Sequence, residues 1–416
     1  MANIETHQVT LSNGLRVVIC PEPSSPVVNV SVMYRVGSYN ERHERTGLAH
    51  LFEHLMFDNA SPENPKQYDV LCARAGGANN AYTTFDYTLY HIDLPAHQAE
   101  IGFWLESERL RSFRITDHAL ATQRSVVVEE INQNVFNQPY GIWRKAQNGA
   151  AYSNESTYSW DVYGSADHVA AVSMNDADGF FHRFYQPGNA VLSVSGAIQV
   201  DRAIALAEQY FGTIEATSSN GTRQEHNPDW QRRGVLQTVS DSVPMPAIYL
   251  AIHLPGYIES DLLEAEIAAT ILGSGRSSVL YQALVTGSGI ASSVGAFVDR
   301  RANASLLTLY AFGASGTVTS QELLDAMYGC LQNHRITSKE IDTAVNKLRT
   351  SHAAELQKAS GVSETVAWSV TFRDDPNFVN TILPRYKEVQ VDSVASLVRQ
   401  LATPSETVAV VINPKE

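Results

Sequence analysis

Cysteine and basic residues are both scarce in this 416-residue sequence, and each scarcity excludes a class of protein. The three cysteines, Cys20, Cys72 and Cys330, form no Cys-x-x-Cys pair and cannot all join in disulfides. We therefore expect buried, reduced thiols rather than a redox or metal-binding role. Lys and Arg number 30 against 44 Asp and Glu, which gives a formal net charge of -14. Nucleic acids and anionic membranes are therefore not expected as partners, since both require a basic surface.

Long apolar runs are also missing. No stretch reaches the length of a membrane-spanning helix. Residues 1–7 lack the basic and apolar regions of a signal peptide, so we expect a cytoplasmic protein. A targeting segment removed beforehand would leave a periplasmic or organellar location open. Hydrophobic residues make up 44% and charged residues 18%, which is typical of a globular protein with sizeable cores.

Apolar strand-like runs alternate with helical patterns along the chain, which predicts a mixed α and β fold. Residues 216–229 are rich in Ser, Asn, Gly and Thr and are predicted to link two domains. A proline leads into a strand and then a helix over residues 27–57, and the same order recurs over residues 247–272. We therefore predict two duplicated domains, 1–215 and 230–416, with chance similarity between α+β segments as the alternative.

Three further elements are predicted from hydrophobic periodicity, residue composition and helix-end signals. Residues 46–57 are predicted to form a helix with Thr46 as its N-cap. Residues 82–94 are predicted to form one strand, because β-branched and aromatic residues dominate them. Residues 117–134 are predicted to form a long helix.

The most informative segment is residues 47–55, which places His50, Glu53 and His54 on the first of these helices. Histidines four residues apart share one helix face, so both imidazoles can bind one tetrahedral ion. Glu53 is placed to take a proton from a water that the ion activates, without binding the ion itself. This is the inverted His-x-x-Glu-His order of zinc peptidases.

A pair of surface histidines on an amphipathic helix is the alternative interpretation of the same segment. The motif is flanked by large apolar residues, namely Leu48, Leu51, Phe52 and Leu55. They indicate that this face is packed rather than solvated. Two histidines and a glutamate buried there would be costly without a partner such as a metal, so we favour the metal site.

A third protein ligand is needed if one coordination position is to stay open for the reaction. Glu129 and Glu130 are the candidates, on the helix predicted over residues 117–134. Adjacent helical residues point in different directions, so only one of the two is expected to bind, and spacing alone does not choose between them. Without the upstream motif, a pair of exposed glutamates on a helix surface would be the simpler interpretation.

Several motifs together resemble the pitrilysin or insulinase family of zinc peptidases, in the short-chain branch that includes mitochondrial processing peptidase and bacterial heterodimeric relatives. The resemblance spans nearly the whole chain and rests on residues 11–17, 50–54, 76–83, 126–131 and 272–278. It implies an α+β fold of two duplicated domains, each a mostly antiparallel sheet packed against helices, enclosing half of a peptidase chamber.

The resemblance also implies roles for individual residues. Glu130 is implied as the third ligand of one zinc ion per chain, and Glu53 as the base that activates the zinc-bound water. Related proteins often carry another glutamate two helical turns before the third ligand. Gln123 occupies that place here, so weaker support of the ligands is expected. The donor set alone would also accept Mn or Co.

For the substrate, the resemblance implies that an oligopeptide joins an exposed sheet edge as an extra strand. The matching residues are Asn80, Ala81, Tyr82 and Thr83. Backbone hydrogen bonds would hold the peptide there, and the small side chain of Ala81 would let it approach closely. Taken without the resemblance, the same residues indicate an ordinary edge strand.

The second half of related proteins usually supplies an arginine and a tyrosine seven residues apart, which bind the substrate and stabilise the developing oxyanion. The matching places here hold Val285 and Ser292, and neither supplies such a donor. Arg300, Arg301 and Tyr310 follow at a different spacing, and we interpret them as surface and strand residues.

The sequence therefore predicts a zinc endopeptidase subunit that depends on a homologous, metal-free partner for the arginine–tyrosine pair. Alone, such a chain would hydrolyse peptides poorly. One alternative is a non-catalytic scaffold subunit, but such subunits commonly lose the metal motif, and it is intact here. Another is a self-sufficient homodimeric peptidase that uses a displaced arginine.

Overall fold

The computed structural model describes residues 3–58, 67–216, 227 and 230–415. The chain divides into two compact units, and each unit draws on both halves of the sequence. The first unit comprises Met1–Ile131, Val162–Gln224 and His352–Ile382, and the second comprises Asn132–Asp161, Glu225–Ser351 and Leu383–Glu416.

The α-helices of the described residues are numbered here along the chain. They are α1 (Leu48–Asp58), α2 (Gln67–Arg74), α3 (Ala99–Arg111), α4 (Asp117–Ile131), α5 (Trp143–Ala151), α6 (Ala166–Ala170), α7 (Met174–Phe184), α8 (Val200–Phe211), α9 (Leu263–Gly273), α10 (Ser320–Asn333), α11 (Ser338–Glu355), α12 (Ala359–Arg373), α13 (Ile382–Arg385) and α14 (Val391–Leu401). Short π-helical turns cover Asn132–Phe136 and Tyr281–Gly287.

The first unit is built on a six-stranded sheet. Its strands are β1 (His7–Thr10), β2 (Arg16–Pro21), β3 (Val27–Tyr34), β4 (Ala78–Thr83), β5 (Thr88–Pro95) and β6 (Ala190–Gly196). Their spatial order is β1-β2-β6-β3-β5-β4, and each neighbouring pair is antiparallel except β2 with β6. Every residue of β6 is buried, which is typical of a strand covered on both faces.

Helices pack on both faces of this sheet. Met33 and Leu89 point to one face and join a hydrophobic cluster with Val366 of α12. Val30 and Ile92 point to the other face, where α3 approaches closely at a glycine. The alternation follows from the two-residue period of a strand, and it fixes which face each strand residue serves.

The second unit is built on a five-stranded sheet. Its strands are β7 (Val235–Asp241), β8 (Ala247–Pro255), β9 (Ala291–Asp299), β10 (Ala304–Gly313) and β11 (Val408–Pro414). Their order is β7-β11-β8-β10-β9, and the parallel pair is β7 with β11. Helices α5 and α9 pack against this sheet, α5 on β7 and β11 and α9 on β9.

The two sheets share one topology. With β1 set aside, β2-β6-β3-β5-β4 matches β7-β11-β8-β10-β9 in order and in the position of the single parallel pair. In each unit a helix follows the central strand and packs against the edge strand: α1 on β4, and α9 on β9. The predicted α+β fold of two duplicated sheets packed against helices is confirmed.

Two helices belong to the unit whose sheet comes from the other half of the sequence. Each predicted domain, 1–215 and 230–416, contains one complete sheet. Helix α5 nevertheless belongs to the second unit, and α12 belongs to the first. The predicted linker over residues 216–229 lies mostly outside the described residues, so the domain boundary stays a prediction.

Two element predictions are wrong in detail. Residues 82–94 form the end of β4, a turn and β5, rather than one strand. The turn forms because the Thr84 hydroxyl accepts the backbone N–H groups of Asp86 and Tyr87 at 3.1 and 3.0 Å. The helix predicted over residues 117–134 ends at Ile131, where a π-helical turn begins.

The cysteines are all free thiols. Cys20 and Cys72 are buried as expected, whereas Cys330 is only half-buried. Burial raises the pKa of the Cys20 thiol to about 12, so this group stays protonated and unreactive. No helix within the described part of the chain is long and apolar enough to cross a bilayer.

Candidate metal centre

Helix α1 presents His50 and His54 on one face, and α4 brings Glu130 towards them. Glu130 Oε2 lies 3.9 Å from His50 Nε2 and 3.2 Å from His54 Nε2. One ligand atom from each side chain lies within 4.8 Å of the other two. Helical spacing alone did not choose between Glu129 and Glu130 as the third ligand. In the structure Glu129 is exposed and lies outside this group. Gln123 is half-buried on the same helix.

The three side chains are partly withdrawn from water, with exposed fractions of 12% for His50, 25% for His54 and 29% for Glu130. Burial lowers the pKa of His50 to about 4, and the neighbouring His54 acts in the same direction, so the His50 ring is neutral near pH 7. A hydrogen bond with His54 lowers the pKa of the Glu130 carboxyl. Neutral imidazole and ionised carboxylate are the forms that bind a metal.

The donor set fits a zinc ion. Two imidazole nitrogens and one carboxylate oxygen are the ligands of one class of catalytic zinc site, in which the fourth position stays open. Among the described residues, these are the one group of at least three His, Cys, Asp or Glu side chains with converging ligand atoms. The site predicted from the sequence motif is therefore also a compact cluster in the fold.

Glu53 lies beside this cluster and is held by the edge strand. The hydroxyl of Thr83 donates a hydrogen bond to Glu53 Oε2 at 2.7 Å. Burial raises the pKa of the Glu53 carboxyl, although the Thr83 hydrogen bond acts in the opposite direction. A carboxyl with a raised pKa binds a proton more readily than an ordinary glutamate, which suits a general base.

The first turn of α1 is capped by a residue that the sequence did not reveal. The buried carboxylate of Glu41 accepts the N–H groups of Gly47 at 3.0 Å and Ala49 at 2.8 Å. Negative charge is favourable at the N-terminus of a helix. Thr46, predicted as the N-cap, instead accepts the N–H of Ser165 through its hydroxyl at 3.0 Å. Glu41 lies too far before the helix for the usual cap spacing to identify it.

The last turn of α1 is tied to α3. Arg109 and Glu106 form an ion pair at 3.2 Å whose side chains have no exposed surface. The Arg109 guanidinium also donates to the Met56 carbonyl oxygen at 3.0 Å. It packs 4.4 to 4.6 Å from the ring centres of Phe57, Tyr68 and Tyr90. Both ends of the helix that carries the histidines are therefore fixed by buried charges.

Strand β4 is the last strand of its sheet, and the described strand next to it is β5 alone. The Thr84 N–H donates to the Tyr87 carbonyl at 2.8 Å, which sets the alternation of hydrogen-bonded pairs along the hairpin. The backbone groups of Ala81 and Thr83 consequently point away from β5. The Ala81 N–H is bonded to the side-chain oxygen of Asn80 at 2.9 Å. The predicted substrate strand is thus an edge strand with outward backbone groups.

The side chains of β4 serve two faces of the sheet. Thr83 points towards α1, where it holds Glu53. Tyr82 points to the opposite face, and its hydroxyl donates to Glu364 of α12 at 2.6 Å. Side chains of β4 are therefore hydrogen-bonded to α1 on one face of the sheet and to α12 on the other.

The second unit has no counterpart of this cluster among its described residues. Helix α9 holds the place of α1 and has the same length, 11 residues. Aligned from their first residues, the two helices match the histidines and glutamate of α1 with Ala265, Ala268 and Ala269, all of them buried. Methyl groups at these positions can pack but cannot bind a metal.

The two positions predicted to lack the arginine–tyrosine pair lie in the second unit. Val285 is half-buried in the π-helical turn Tyr281–Gly287. Ser292 lies in β9, and its hydroxyl donates to the Gly313 carbonyl at 3.0 Å. Neither side chain is a cation or a phenol, so neither reproduces the predicted pair.

One prediction for this region is wrong. Arg301 was interpreted as a surface residue, but its side chain has no exposed surface. It pairs with Asp299 at 2.6 Å and donates to Asn148 at 2.6 Å, and these partners offset the cost of burying its charge. Arg300 is partly exposed and pairs with a glutamate of α9, and Tyr310 lies in β10 as predicted.

Two sequence profiles of one peptidase family match the chain. The profile described as Insulinase (Peptidase family M16) matches residues 16–157, and the profile described as Peptidase M16 inactive domain matches residues 171–348. The chain belongs to the insulinase family of metallopeptidases. The first profile covers the metal cluster of this insulinase-family chain, and the inactive-domain profile covers the alanines of α9.

Curated relatives agree with this membership over nearly their whole length. Zinc protease PqqE from Helicobacter pylori is 25% identical, over 98% of this chain and 92% of its own. An uncharacterized zinc protease from Bacillus subtilis, YmxG, is 24% identical over 97% of both chains. This insulinase-family chain is accordingly a zinc-dependent peptidase.

Solved structures of similar fold include a chain that is matched over its whole length and a longer chain of which about half is matched. A protease from Helicobacter pylori matches with a TM-score of 0.91 at 23% identity, over 99% of this chain and 100% of that chain. The periplasmic protease PqqL from Escherichia coli matches with a TM-score of 0.74 at 20% identity, over 100% of this chain but 48% of that chain. These likenesses show that the fold occurs both as a single chain and as about half of a longer one.

Proposed function

We propose that the chain is a zinc endopeptidase subunit that hydrolyses oligopeptides, with His50, His54 and Glu130 as the metal ligands. The observation that carries the proposal is the convergence of these three side chains beside the half-buried carboxylate of Glu53. A zinc ion bound there would polarise the scissile carbonyl and lower the pKa of the attacking water to about 7.

Glu53 is the general base in this proposal. Thr83 holds Oε2 of its carboxylate, which leaves Oε1 to accept a proton from the attacking water. As the water oxygen bonds to the carbonyl carbon and the C–N bond breaks, the same carboxyl returns the proton to the leaving amine. Its raised pKa suits both steps, because the group must hold the proton between them.

The edge strand is the substrate site in this proposal. The outward backbone groups of Ala81 and Thr83 can pair with an extended peptide, as in other cases of strand addition. The side chains of Asn80 and Tyr82 alternate with those of Ala81 and Thr83 along β4 and lie on the opposite face of the sheet. A peptide bound in this way must be extended, which favours oligopeptides or unfolded segments over folded proteins.

A homologous, metal-free partner subunit is the last element of the proposal. The supporting observation is that Val285 and Ser292, at the positions that match the arginine and tyrosine of related proteins, offer no cation or phenol to stabilise an oxyanion. The longer chain of similar fold supports the same idea, because this chain matches about half of it and it has room for two such copies. The partner would bring the arginine and tyrosine.

Peptide hydrolysis by the zinc-loaded chain tests the proposal. Internally quenched oligopeptides are incubated with the purified chain alone and with a candidate metal-free homologue. Glu53→Gln removes the base, and Glu264→Gln in α9 is the matched control in the corresponding helix. Strong cleavage only in the mixture, lost with Glu53→Gln and kept with Glu264→Gln, is the expected result. Full activity of the chain alone would contradict the partner requirement, and no activity in either sample would favour a scaffold.

A further inference from the structure

A tyrosine that the sequence did not single out lies against two of the candidate metal ligands. The ring of Tyr163 meets the His50 ring edge to face, with centroids 5.0 Å apart. Its hydroxyl is hydrogen-bonded to the carboxylate of Glu130. Because His50 is on α1 and Glu130 is on α4, this single side chain contacts ligands from both helices.

The backbone around Tyr163 is fixed to the start of α1. Gly47 and Gly164 both have positive φ, 87° and 67°. A Cβ at Gly47 would lie 2.4 Å from the Tyr163 carbonyl oxygen, and a Cβ at Gly164 would lie 2.2 Å from the Gly47 nitrogen. Only glycine fits at both positions, so the two segments cross with their backbones in contact.

A second set of contacts fixes the residues that follow the crossing. Thr46 accepts the N–H of Ser165 at 3.0 Å, and its hydroxyl lies 2.9 Å from His168 Nδ1. The segment that carries Tyr163 is therefore held to α1 on both sides of Gly164. Its ring and hydroxyl cannot shift far from His50 and Glu130 without breaking these contacts.

We propose that Tyr163 is a positioning residue of the metal centre, which orients Glu130 through its hydroxyl and His50 through its ring. The proposal rests on the proposed function, because it concerns the same ligands. A donor to one lone pair of a carboxylate restricts its rotation and leaves the remaining lone pairs to face the ion. Tyr163 would thus set the geometry of two ligands before the metal binds.

The effect on zinc affinity follows from the usual contribution of such supporting hydrogen bonds. Loss of a partner that orients a metal ligand typically weakens metal binding by about 10- to 100-fold. Tyr163→Phe removes only the hydroxyl and keeps the ring against His50. We expect it to raise the zinc Kd by about tenfold, at the lower end of that range, because the ring contact remains.

Zinc affinity measured by competition with a fluorescent chelator tests the proposal. Tyr210→Phe is the matched control, because the Tyr210 hydroxyl also donates to a carboxylate, that of Glu100 at 2.8 Å, away from the metal cluster. Both variants lose one tyrosine–glutamate hydrogen bond, so a similar, small fall in the Tm of the metal-free protein is expected. Only Tyr163→Phe should also lose zinc affinity.

The outcomes separate this proposal from the proposed function. Wild-type affinity in Tyr163→Phe would overturn the role of Tyr163 while leaving the zinc peptidase intact. A wild-type chain that binds no zinc would overturn both. The same change is also made in a Glu130→Ala background, which completes a double-mutant cycle. There the tenfold effect should shrink, since no carboxylate remains to be oriented, and an undiminished effect would contradict the proposal.

Discussion

The two units use one strand topology for two different purposes, and the contrast lies mainly in one helix. In the first unit, α1 carries His50, Glu53 and His54, and buried charges fix both of its ends. In the second unit, α9 has the same length and place but carries alanine at the three matching positions, and its N-cap residue makes no side-chain hydrogen bond. The same strand topology therefore occurs in one unit with a metal-ligand cluster and in the other without one among its described residues.

Each unit also contains a buried histidine of low pKa and a fully buried arginine, in different surroundings. Burial lowers the pKa of both His50 and His253 to about 4. His50 converges with two further ligands, whereas His253 Nε2 lies 3.0 Å from the carbonyl oxygens of Ala151 and Arg232, which connects β8 to the end of α5 and to the segment before β7. Arg109 is tied to the end of α1, whereas Arg301 holds a turn next to β9. Burial alone therefore does not identify a functional group, and convergence with other ligands does.

Removal of the base from α1 and of a glutamate from α9 should produce the largest difference between the two units. Glu53→Gln should lower kcat about 10²- to 10⁴-fold, since a general base is lost while the metal ligands remain. Glu264→Gln in α9 should leave kcat unchanged. Both are measured in the active assembly, with zinc content as the control for folding. A large loss in Glu264→Gln would mean that the second unit takes part in the chemistry.

The two buried arginines test whether α1 needs its anchor for more than stability. Arg109→Met leaves the buried carboxylate of Glu106 without its ion pair, and Arg301→Met does the same to the partly buried Asp299, so each should lower the free energy of unfolding by roughly 3 to 5 kcal/mol. Urea denaturation of the metal-free chain measures this. Only Arg109→Met should also weaken zinc binding, because Arg109 holds the end of α1. Equal zinc affinity in the two variants would contradict that role.

The structural role of His253 should appear in the pH dependence of stability. Its folded pKa of about 4 lies below the unfolded value of about 6.5, so the unfolded chain takes up this proton first as pH falls. The neutral ring therefore supports the fold above pH 6.5, and its contribution is lost as the pH falls towards 4. We expect His253→Gln to reduce this acid destabilisation by up to about 3 kcal/mol. Unfolding curves of the metal-free chain at several pH values measure it, and parallel pH profiles would contradict the assignment.

The smallest expected effect concerns the cap of α1. Glu41→Gln keeps the shape of the side chain but removes the charge that faces the helix N-terminus, which should cost about 1 kcal/mol. Zinc binding should weaken slightly, since the first turn of α1 carries His50. The Tm with and without zinc measures both effects. A variant more stable than the wild type would show that burying the charge costs more than the cap provides.

The chemistry of the site was predictable because its core is local. Histidines four residues apart and the glutamate between them are visible in one helical turn, and the resemblance chose Glu130 over Glu129. The fold class was predictable as well, since the two halves repeat the same order of strands and helices. These features depend on spacing within short segments, which a sequence displays directly.

The support around the site could not be predicted, because it is formed by packing between distant segments. Tyr163 and Arg109 reach α1 only after the chain has folded, and nothing in their own segments marks them. That α5 belongs to the second unit and α12 to the first could not be predicted for the same reason. The hairpin at Thr84 was missed for a different reason, since a hydroxyl turn between two strands of similar composition resembles one continuous strand.

We expect one zinc ion to bind in the first unit, at His50, His54 and Glu130, and none to bind in the second. Elemental analysis of the purified chain after exchange into limiting chelator tests it most directly, with His54→Ala and Glu53→Gln analysed in parallel. One zinc per chain in the wild type and in Glu53→Gln, and none in His54→Ala, is the predicted result. A full zinc complement in His54→Ala, or two ions in the wild type, would contradict the account.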